Sequence, residues 1–499
     1  MDALTQARPP RRQLLSAPFV RAMLAGHSAL GIAFAALIYI VCFSGAVLVF
    51  LNDWQRWEQP DTPLLVAVTP EQVNSALATI HAQARGEGSA HDIYLAGPGP
   101  TNPRFAGYYH DDDTGVEGER FLDAEGYLDA PIEAPWSEFI AELHTSLHLP
   151  RTWGLLIVGL TGVALLSSLI SGVLSHPRVF KDAFAFRWGG SRRLGEADLH
   201  NRIGVWGLPF HVAVSLTGAL LGLSTLIIGL LAFAAYDGNS EKAFAAILGP
   251  MAGADRSPAP LPDLAAMIRQ VQAQAPTAQF VSANIKEIGT AGQIVHLGMK
   301  VPGYLPMANM YYFDGAGRFL GDGGLETGTV GQQVLGALQP LHFGWFGGVP
   351  VRLAYGLLGL ALTYIAYNGV TIWLVRRREK GRPAPQLEKI WPALGWSQPL
   401  AFGITAGASL ILGDAPLLAI YGAAVAATLT VALMAGSGAV VARLLRLASA
   451  AVLLAVAAVH MAVWMGQVTD PMAHWINAAL VAGAVVIALP VLTRAPRQG

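Results

Sequence analysis

The chain has 499 residues, of which 53% are hydrophobic and 13% charged, and its mean hydropathy is +0.44. Such a composition excludes an ordinary water-soluble globule and points to the membrane. The net charge of −1 conceals basic residues gathered in short connections and acidic ones in long connections, a pattern that sets topology in a lipid bilayer and speaks for no nucleic-acid partner.

A single cysteine, Cys42, lies inside an apolar run. That rules out an intrachain disulfide, a CxxCH haem attachment and a thiolate metal cluster, so any metal or haem must rest on histidine, carboxylate or methionine. The polar start, Met1 to Arg21, carries Arg8, Arg11, Arg12 and Arg21, and the run behind it is too long for a cleaved signal peptide. It reads as a retained first helix.

Runs of roughly 20 apolar residues cross a bilayer core of about 30 Å, and eight are read here: 24–51, 150–175, 204–236, 346–375, 397–413, 416–441, 446–467 and 473–493. Arg178, Lys181, Arg187, Arg192, Arg193 and Arg202 lie between the second and third, and Arg376, Arg377, Arg378, Lys380 and Arg382 follow the fourth. The positive-inside rule makes both connections cytoplasmic, together with Arg443, Arg446, Arg494 and Arg497, and leaves Asp414 and Asp470 outside.

The expected fold is therefore a polytopic α-helical membrane protein with a duplicated four-helix core and two small α+β domains inserted outside. In chain order it has a cytoplasmic start (1–23), a first span (24–51), an outer domain (52–145), a second span (146–175) and a cytoplasmic loop (176–203). The third span (204–236), second outer domain (237–341), fourth span (342–375), second loop (376–396), spans five to eight (397–493) and a cytoplasmic tail (494–499) follow.

Each outer segment reads as a helix (Thr69 to Arg85; Leu261 to Gln274) followed by short strands around a turn, Phe121 to Tyr127 in one and Phe313 to Phe319 in the other. Asp111, Asp112 and Asp113 read as a solvated turn before a cation site. Each second span of the repeat is announced by a Leu-His pair, Leu143-His144 and Leu341-His342. Parallel repeats bury a shared site where the halves meet.

Of the thirteen histidines, those at helix ends carry the chemistry. The stretch from His27 to Leu51 is nearly as long as that from His211 to Tyr236, and His144 to Ser175 nearly as long as His342 to Val375. Since each helical residue rises by a fixed step, these are two level pairs, one near each face. Haem supplies four nitrogen ligands and needs only two imidazoles, whereas zinc wants three or four protein ligands. An isolated helix-end histidine more often just reaches headgroups or water, but two level pairs in repeat-related positions favour haem.

His200 lies about three helical turns before His211, on the same helical face, and is the alternative partner of His27 if the first helix tilts; His148, one turn after His144, is the alternate there. His176 marks the inner headgroup level, and His460, His474, His81, His91, His110 and His296 receive no ligand role. The dipeptides Ser44-Gly45, Ser171-Gly172, Thr217-Gly218 and Asn368-Gly369 fall at corresponding places in the four repeat helices, where small residues allow close approach. Trp54, Trp136, Trp153, Trp206 and Trp345 read as interfacial anchors.

Three stretches, Leu143 to Gly154 (LHTSLHLPRTWG), Asp198 to Trp206 (DLHNRIGVW) and Leu341 to Gly348 (LHFGWFGG), resemble the PepSY-associated transmembrane helix family of iron-regulated inner-membrane proteins and siderophore reductases, over about residues 20–380. The resemblance implies four core helices, outer PepSY-like domains, haem held by His27, His144, His200 and His342, and reduction of ferric siderophore in the periplasm. The last four spans depart from that pattern.

The function expected from the whole is an inner-membrane oxidoreductase with two b-type haems, the inner on His27 with His211 or His200, the outer on His144 with His342. Its acceptor is ferric siderophore or other chelated iron. Its donor is a separate cytoplasmic protein or quinol, since no flavin or nicotinamide fingerprint is visible. Two alternatives stand beside it: a periplasmic ligand-sensing or protease-regulating PepSY membrane protein without redox activity, and a transporter. The first four spans carry no mid-membrane charge of the kind a coupled carrier uses.

Overall fold

The first apolar run does not form one straight helix. Helix α1 (Ala17–Ala33) starts behind the N-cap Ser16, with Pro18 in its first turn, and meets α2 (Ala35–Leu48) at 70° across Phe34. The amphipathic α3 (Leu51–Glu58) follows. Thr69 and Gln72 then form a capping box that opens α4 (Pro70–Gly86), whose apolar stripe Val73, Ala76, Leu77, Ile80 and Ala84 recurs every three to four residues. Strands β1 (Asp92–Ala96), β2 (Phe105–His110), β3 (Glu117–Leu122) and β4 (Leu128–Pro131) lead to α5 (Pro135–Thr145) and the long α6 (Arg151–Ser175). The structure, a computed structural model, describes residues 15–88, 91–176, 178–184 and 192–493. Arg8, Arg11, Arg12, Arg187, Arg494 and Arg497, used above for topology, lie outside the described residues.

After α7 (Val179–Asp182) the pattern repeats. Helices α8 (Arg192–Trp206) and α9 (Leu208–Gly222) meet at 70° across Gly207, and α10 (Ser224–Ala235) and α11 (Ser240–Leu248) follow. Next come α12 (Leu264–Gln274), strands β5 (Gln279–Lys286), β6 (Ile294–Lys300), β7 (Asn309–Asp314) and β8 (Phe319–Asp322), α13 (Val330–Phe343) and α14 (Gly348–Glu379). The step along the chain from Phe34 to Gly207 equals the step from Ser44 to Thr217 and from Gly45 to Gly218. The duplication is thus in register through both bends.

The outer units do not stand as two separate domains. Their strands form one antiparallel sheet in the order β4-β3-β2-β1-β5-β6-β7-β8, joined at the centre by β1 and β5, where Lys286 Nζ donates to Asp92 at 2.9 Å. Helices α4 and α12 pack together on the sheet and seal a core that includes Leu77, Ile80, Ile93, Phe105, Met267, Ile285 and Phe313. Pairing β1 with β5 removes an edge from each half, which an isolated four-stranded unit would leave open.

In the helical core α6 packs between α1 and α9, and α14 between α8 and α2. Glycines set the approach: Gly159 and Gly162 of α6 lie against Gly222 and Ala219, and Gly356 and Gly359 of α14 lie against Phe50 and Ala46.

The chain ends in α15 (Pro385–Leu412), α16 (Leu417–Met434), α17 (Gly438–Val463) and α18 (Met472–Leu492). Among the described residues, five helices, α6, α14, α16, α17 and α18, are long and apolar enough to cross a membrane, and up to seven spans result if each bent pair is one. The run at 397–413 falls in α15, which carries buried Ser397, Gln398, Thr405 and Ser409 and is not among these helices, so five to seven of the eight crossings expected have a helix of that length and apolar character.

Candidate functional site

His144 ends α5 and His342 ends α13, and their ring centroids stand 6.2 Å apart at the sheet end of the core. His27 of α1 and His200 of α8 also stand 6.2 Å apart. Their seats, Gly172 and Gly369, lie near the far ends of α6 and α14, after about 30 Å of helix. The core therefore holds two histidine pairs at opposite ends.

All four imidazoles are held by one device used four times. Ring atoms of His144 lie 2.7 Å from where a Cβ on Gly45 would stand; the same distance is 2.8 Å for His342 over Gly218, 3.2 Å for His27 over Gly172 and 3.5 Å for His200 over Gly369. The turn that precedes each glycine faces Nδ1. His144 Nδ1 donates to the Val41 carbonyl at 3.0 Å beside Ser44 Oγ at 3.2 Å. His342 Nδ1 lies 3.1 Å from Thr217 Oγ1 and within reach of the Val214 carbonyl. His27 Nδ1 donates to the Ser168 carbonyl at 2.8 Å, with Oγ of the same serine at 3.2 Å. The His200 ring meets the Ile365 carbonyl and the Asn368 side chain more loosely, its Nδ1 outside full hydrogen-bond geometry.

Committing Nδ1 to a carbonyl fixes the tautomer and turns Nε2 into the free electron pair, the arrangement that metal-ligating histidines share. Among the described residues, no hydrogen bond engages Nε2 of these four. Two imidazoles on opposite sides of one metal ion, with bonds of about 2.0 Å and about 1.1 Å more to each ring centre, put the centres about 6.2 Å apart. Both pairs have that spacing, and two histidines per site is the number haem requires.

His211 is not a member of either pair. It lies fully buried on α9, in ring contact with Phe210, and neither ring nitrogen has a full hydrogen bond, the Gly204 carbonyl being only within electrostatic reach. Its counterpart in the first repeat is Ile38, whereas the counterpart of His27 is His200. The pairing of His27 with His211 by depth is thus corrected: it measured from Leu51 and Tyr236, but Leu51 corresponds to Ser224, so the two ends were not equivalent. His148 is also elsewhere. It stacks on Phe139 at 4.8 Å and donates from Nε2 to the Phe139 carbonyl at 2.9 Å, holding the tight turn where Leu147 and His148 adopt positive φ.

Sequence reading missed the clasp around α5. Buried Glu58 accepts from Trp136 N–H at 2.8 Å and from Ser137 N–H and Oγ–H at 2.9 and 2.5 Å, fixing the start of the helix that carries His144. Burial outweighs these three donors and pushes the Glu58 carboxyl up to about 7. Behind it, Trp57 stacks on His460 at 4.5 Å, His460 Nε2 donates to the Trp57 carbonyl at 2.8 Å, and Arg56 binds Asp470 through two 2.7 Å hydrogen bonds. The C-terminal helices dock here, so Trp54, Trp57 and Trp136 form a packed cluster in which Trp54 and Trp136, read as interfacial anchors, serve the interior. At the tip of the β2–β3 hairpin, Asp111 accepts from the Asp113 and Thr114 amides at 3.0 Å, closing the acidic turn.

A duplicated helical core with apolar spans, roofed by a shared sheet and holding paired histidines at both ends, defines a polytopic helical membrane protein. The chain belongs to the family described as PepSY-associated TM region, which it matches over residues 24–376. It is similar to a Pseudomonas aeruginosa protein titled "Uncharacterized protein PA4219", with 30% identity over 289 residues, covering 56% of this chain and 72% of that one. The last four helices lie outside the family match.

Proposed function

We propose that this protein is an inner-membrane oxidoreductase with two b-type haems, one on His27 and His200 and one on His144 and His342, that passes electrons from a cytoplasmic or quinol donor to ferric iron, chelated by a siderophore, on the outer side. The observation that carries this reading is the recurrence of one ring seat four times, giving two pairs with the same 6.2 Å spacing at opposite ends of the core. Packing alone accounts for a ring over a glycine, as at His211 over Gly207 at 2.5 Å; it does not explain equal spacing in two pairs built from different helices.

Bound haem supplies one-electron exchange between ferric and ferrous iron. The chain's own residues hold the rings. Val41, Ser168 and Thr217 fix the Nδ1 side, and the glycines remove the side chains that would fill the ring positions. The end where Arg376, Arg377 and Arg378 close α14, cytoplasmic by the positive-inside rule, would face the electron donor, and the sheet end would face the ferric acceptor, which would take one electron to become Fe(II).

The test is the visible spectrum of the detergent-purified chain with haem quantified per polypeptide. A Soret band that shifts on dithionite reduction, at two haems per chain, supports the reading. Absence of haem after expression with ample haem supply contradicts it and favours a sensing or regulatory role for the outer sheet.

A further inference from the structure

Three of the four seats carry a small hydroxyl residue just before the glycine, and the His200 seat does not. There the residue just before the glycine is Asn368, where the other three have Ser44, Ser171 and Thr217. Asn368 is 2% exposed, and its Nδ2 donates to Glu196 Oε2 at 2.5 Å and to Tyr364 Oη at 3.2 Å. Tyr364 in turn donates to the same carboxylate oxygen at 3.4 Å. With the amide nitrogen held by the carboxylate, the amide oxygen is left for the imidazole. Asn368 Oδ1 and His200 Nδ1 are both buried without a full partner, and the two side chains interact. Each atom is what the other lacks: an N–H donor and a carbonyl-type acceptor.

Glu196 stands one helical turn before His200 on α8, and α8 packs on α14. Its counterpart in the first repeat is Met23, and the counterparts of Tyr364 and Asn368 are Ser167 and Ser171. Ser171 Oγ donates to the Ser167 and Ser168 carbonyls, and His27 Nδ1 meets the carbonyl and hydroxyl of Ser168, the counterpart of Ile365, so no carboxylate-bound amide stands in the corresponding position and the repeat supplies its own control.

We propose that Glu196, acting through Asn368, is a positioning and polarising residue for His200, and that it gives the His27–His200 site a lower midpoint potential than the His144–His342 site. This rests on the haem reading. A carboxylate on one side of an amide makes the amide oxygen a stronger acceptor, which draws the Nδ1 proton and makes Nε2 more basic. A more basic ligand favours the higher oxidation state of the iron it holds, and hydrogen bonding to the ligands is one of the levers that set such potentials. With the low-potential site at the arginine-rich end, electron flow toward the sheet end is downhill. The device needs no conformational change, because direction is set by one carboxylate in one repeat.

The experiment is a spectroscopic redox titration of the detergent-purified full chain, comparing wild type, Glu196→Gln, Glu196→Asp and Asn368→Leu. Wild type is expected to titrate as two components. Glu196→Gln and Asn368→Leu raise the lower one by about tenfold in its reduction equilibrium, about 59 mV for one electron, and leave the upper one in place. Glu196→Asp, which keeps the charge, retains most of the wild-type separation.

An unchanged lower component in Glu196→Gln overturns the proposal, as does an equal shift of both components. If Glu196→Gln loses one haem through misfolding, Asn368→Leu and Glu196→Asp decide by the same criteria. A wild-type chain without haem defeats the functional reading itself, a result distinct from any of these.

Discussion

The two halves of the duplicated core share their ring seats but differ in what surrounds them. In the first half α3 and α5 are clasped by the C-terminal helices through Trp57, Trp136, His460 and the Arg56–Asp470 pair. In the second half the corresponding region carries no such cover among the described residues: Phe233 is 82% exposed and Val330 78%. At the other end the difference is reversed, since among the described residues only the second half brings a carboxylate, Glu196, onto the side chain beside its histidine, Asn368. Duplication supplied the paired-histidine geometry twice, and divergence then packed one half against the C-terminal helices at the sheet end and placed a carboxylate in the other at the far end. A functional difference between two nominally equivalent sites can therefore be sought in the few positions where the repeats disagree.

The largest expected effects come from filling the ring seats. Gly45→Ala and Gly218→Ala place a Cβ at 2.7 and 2.8 Å from the rings of His144 and His342, closer than side chains tolerate, and should each abolish the sheet-end haem as fully as His→Ala. Gly172→Ala, at 3.2 Å, should weaken the other haem, and Gly369→Ala, at 3.5 Å, should be tolerated. Haem content per chain in the four variants checks the order. Equal loss in all four would mean that the seats are not what orders the rings.

Next is the clasp. Asp470→Ala leaves Arg56 and Arg104 buried without their carboxylate, and removing one partner of a buried pair costs about 3–5 kcal/mol. Limited proteolysis should then release α15–α18 ahead of the core; a cleavage pattern like wild type would show that the C-terminal helices are held otherwise.

Smaller again is His211→Ile, which installs the residue of the first half. It relieves two buried nitrogens that lack full hydrogen bonds, so both haems should remain and thermal stability should hold or rise. Loss of a haem would return His211 to the ligand set.

The smallest effect concerns pH. The Glu58 carboxyl is raised by burial to about 7 against an ordinary value of 4.5, so the folded state holds a proton that the unfolded chain gives up. Stability is then greatest below the unfolded value and is lost as pH rises through about 7. Glu58→Gln should flatten that slope, a difference of about 2–4 °C in melting temperature between pH 5 and 8. A slope unchanged in the variant would assign it to another group.

Much of this was legible in the sequence. Hydropathy located the apolar runs, and the helix-then-strand order recurs as α4 with β1–β4 and α12 with β5–β8. The pairing of His27 was readable too, because aligning the dipeptide Ser44-Gly45 with Thr217-Gly218 carries His27 onto His200. Counting from apolar ends hid it, since α10 extends the third run by a helix whose counterpart, α3, is polar and fell outside the first run.

Other features left no local pattern. The bend at Phe34 lies in uninterrupted apolar sequence, whereas the one at Gly207 is marked by Gly207 and by Pro209 in the first turn of α9; the fusion of the two helix-and-strand units across β1 and β5 is a long-range pairing that no turn announces. Glu196 was read as part of a cytoplasmic loop because α8 is polar; its role depends on packing against α14, which composition does not reveal.

The central claim is that two haem sites are built from His27 with His200 and His144 with His342. It is tested most directly by haem quantification and low-temperature reduced spectra of the four single His→Ala variants. The account predicts that His27→Ala and His200→Ala lose one and the same spectral component, and His144→Ala and His342→Ala the other. Loss of different components within either pair, or full retention of both haems in His200→Ala, would contradict it.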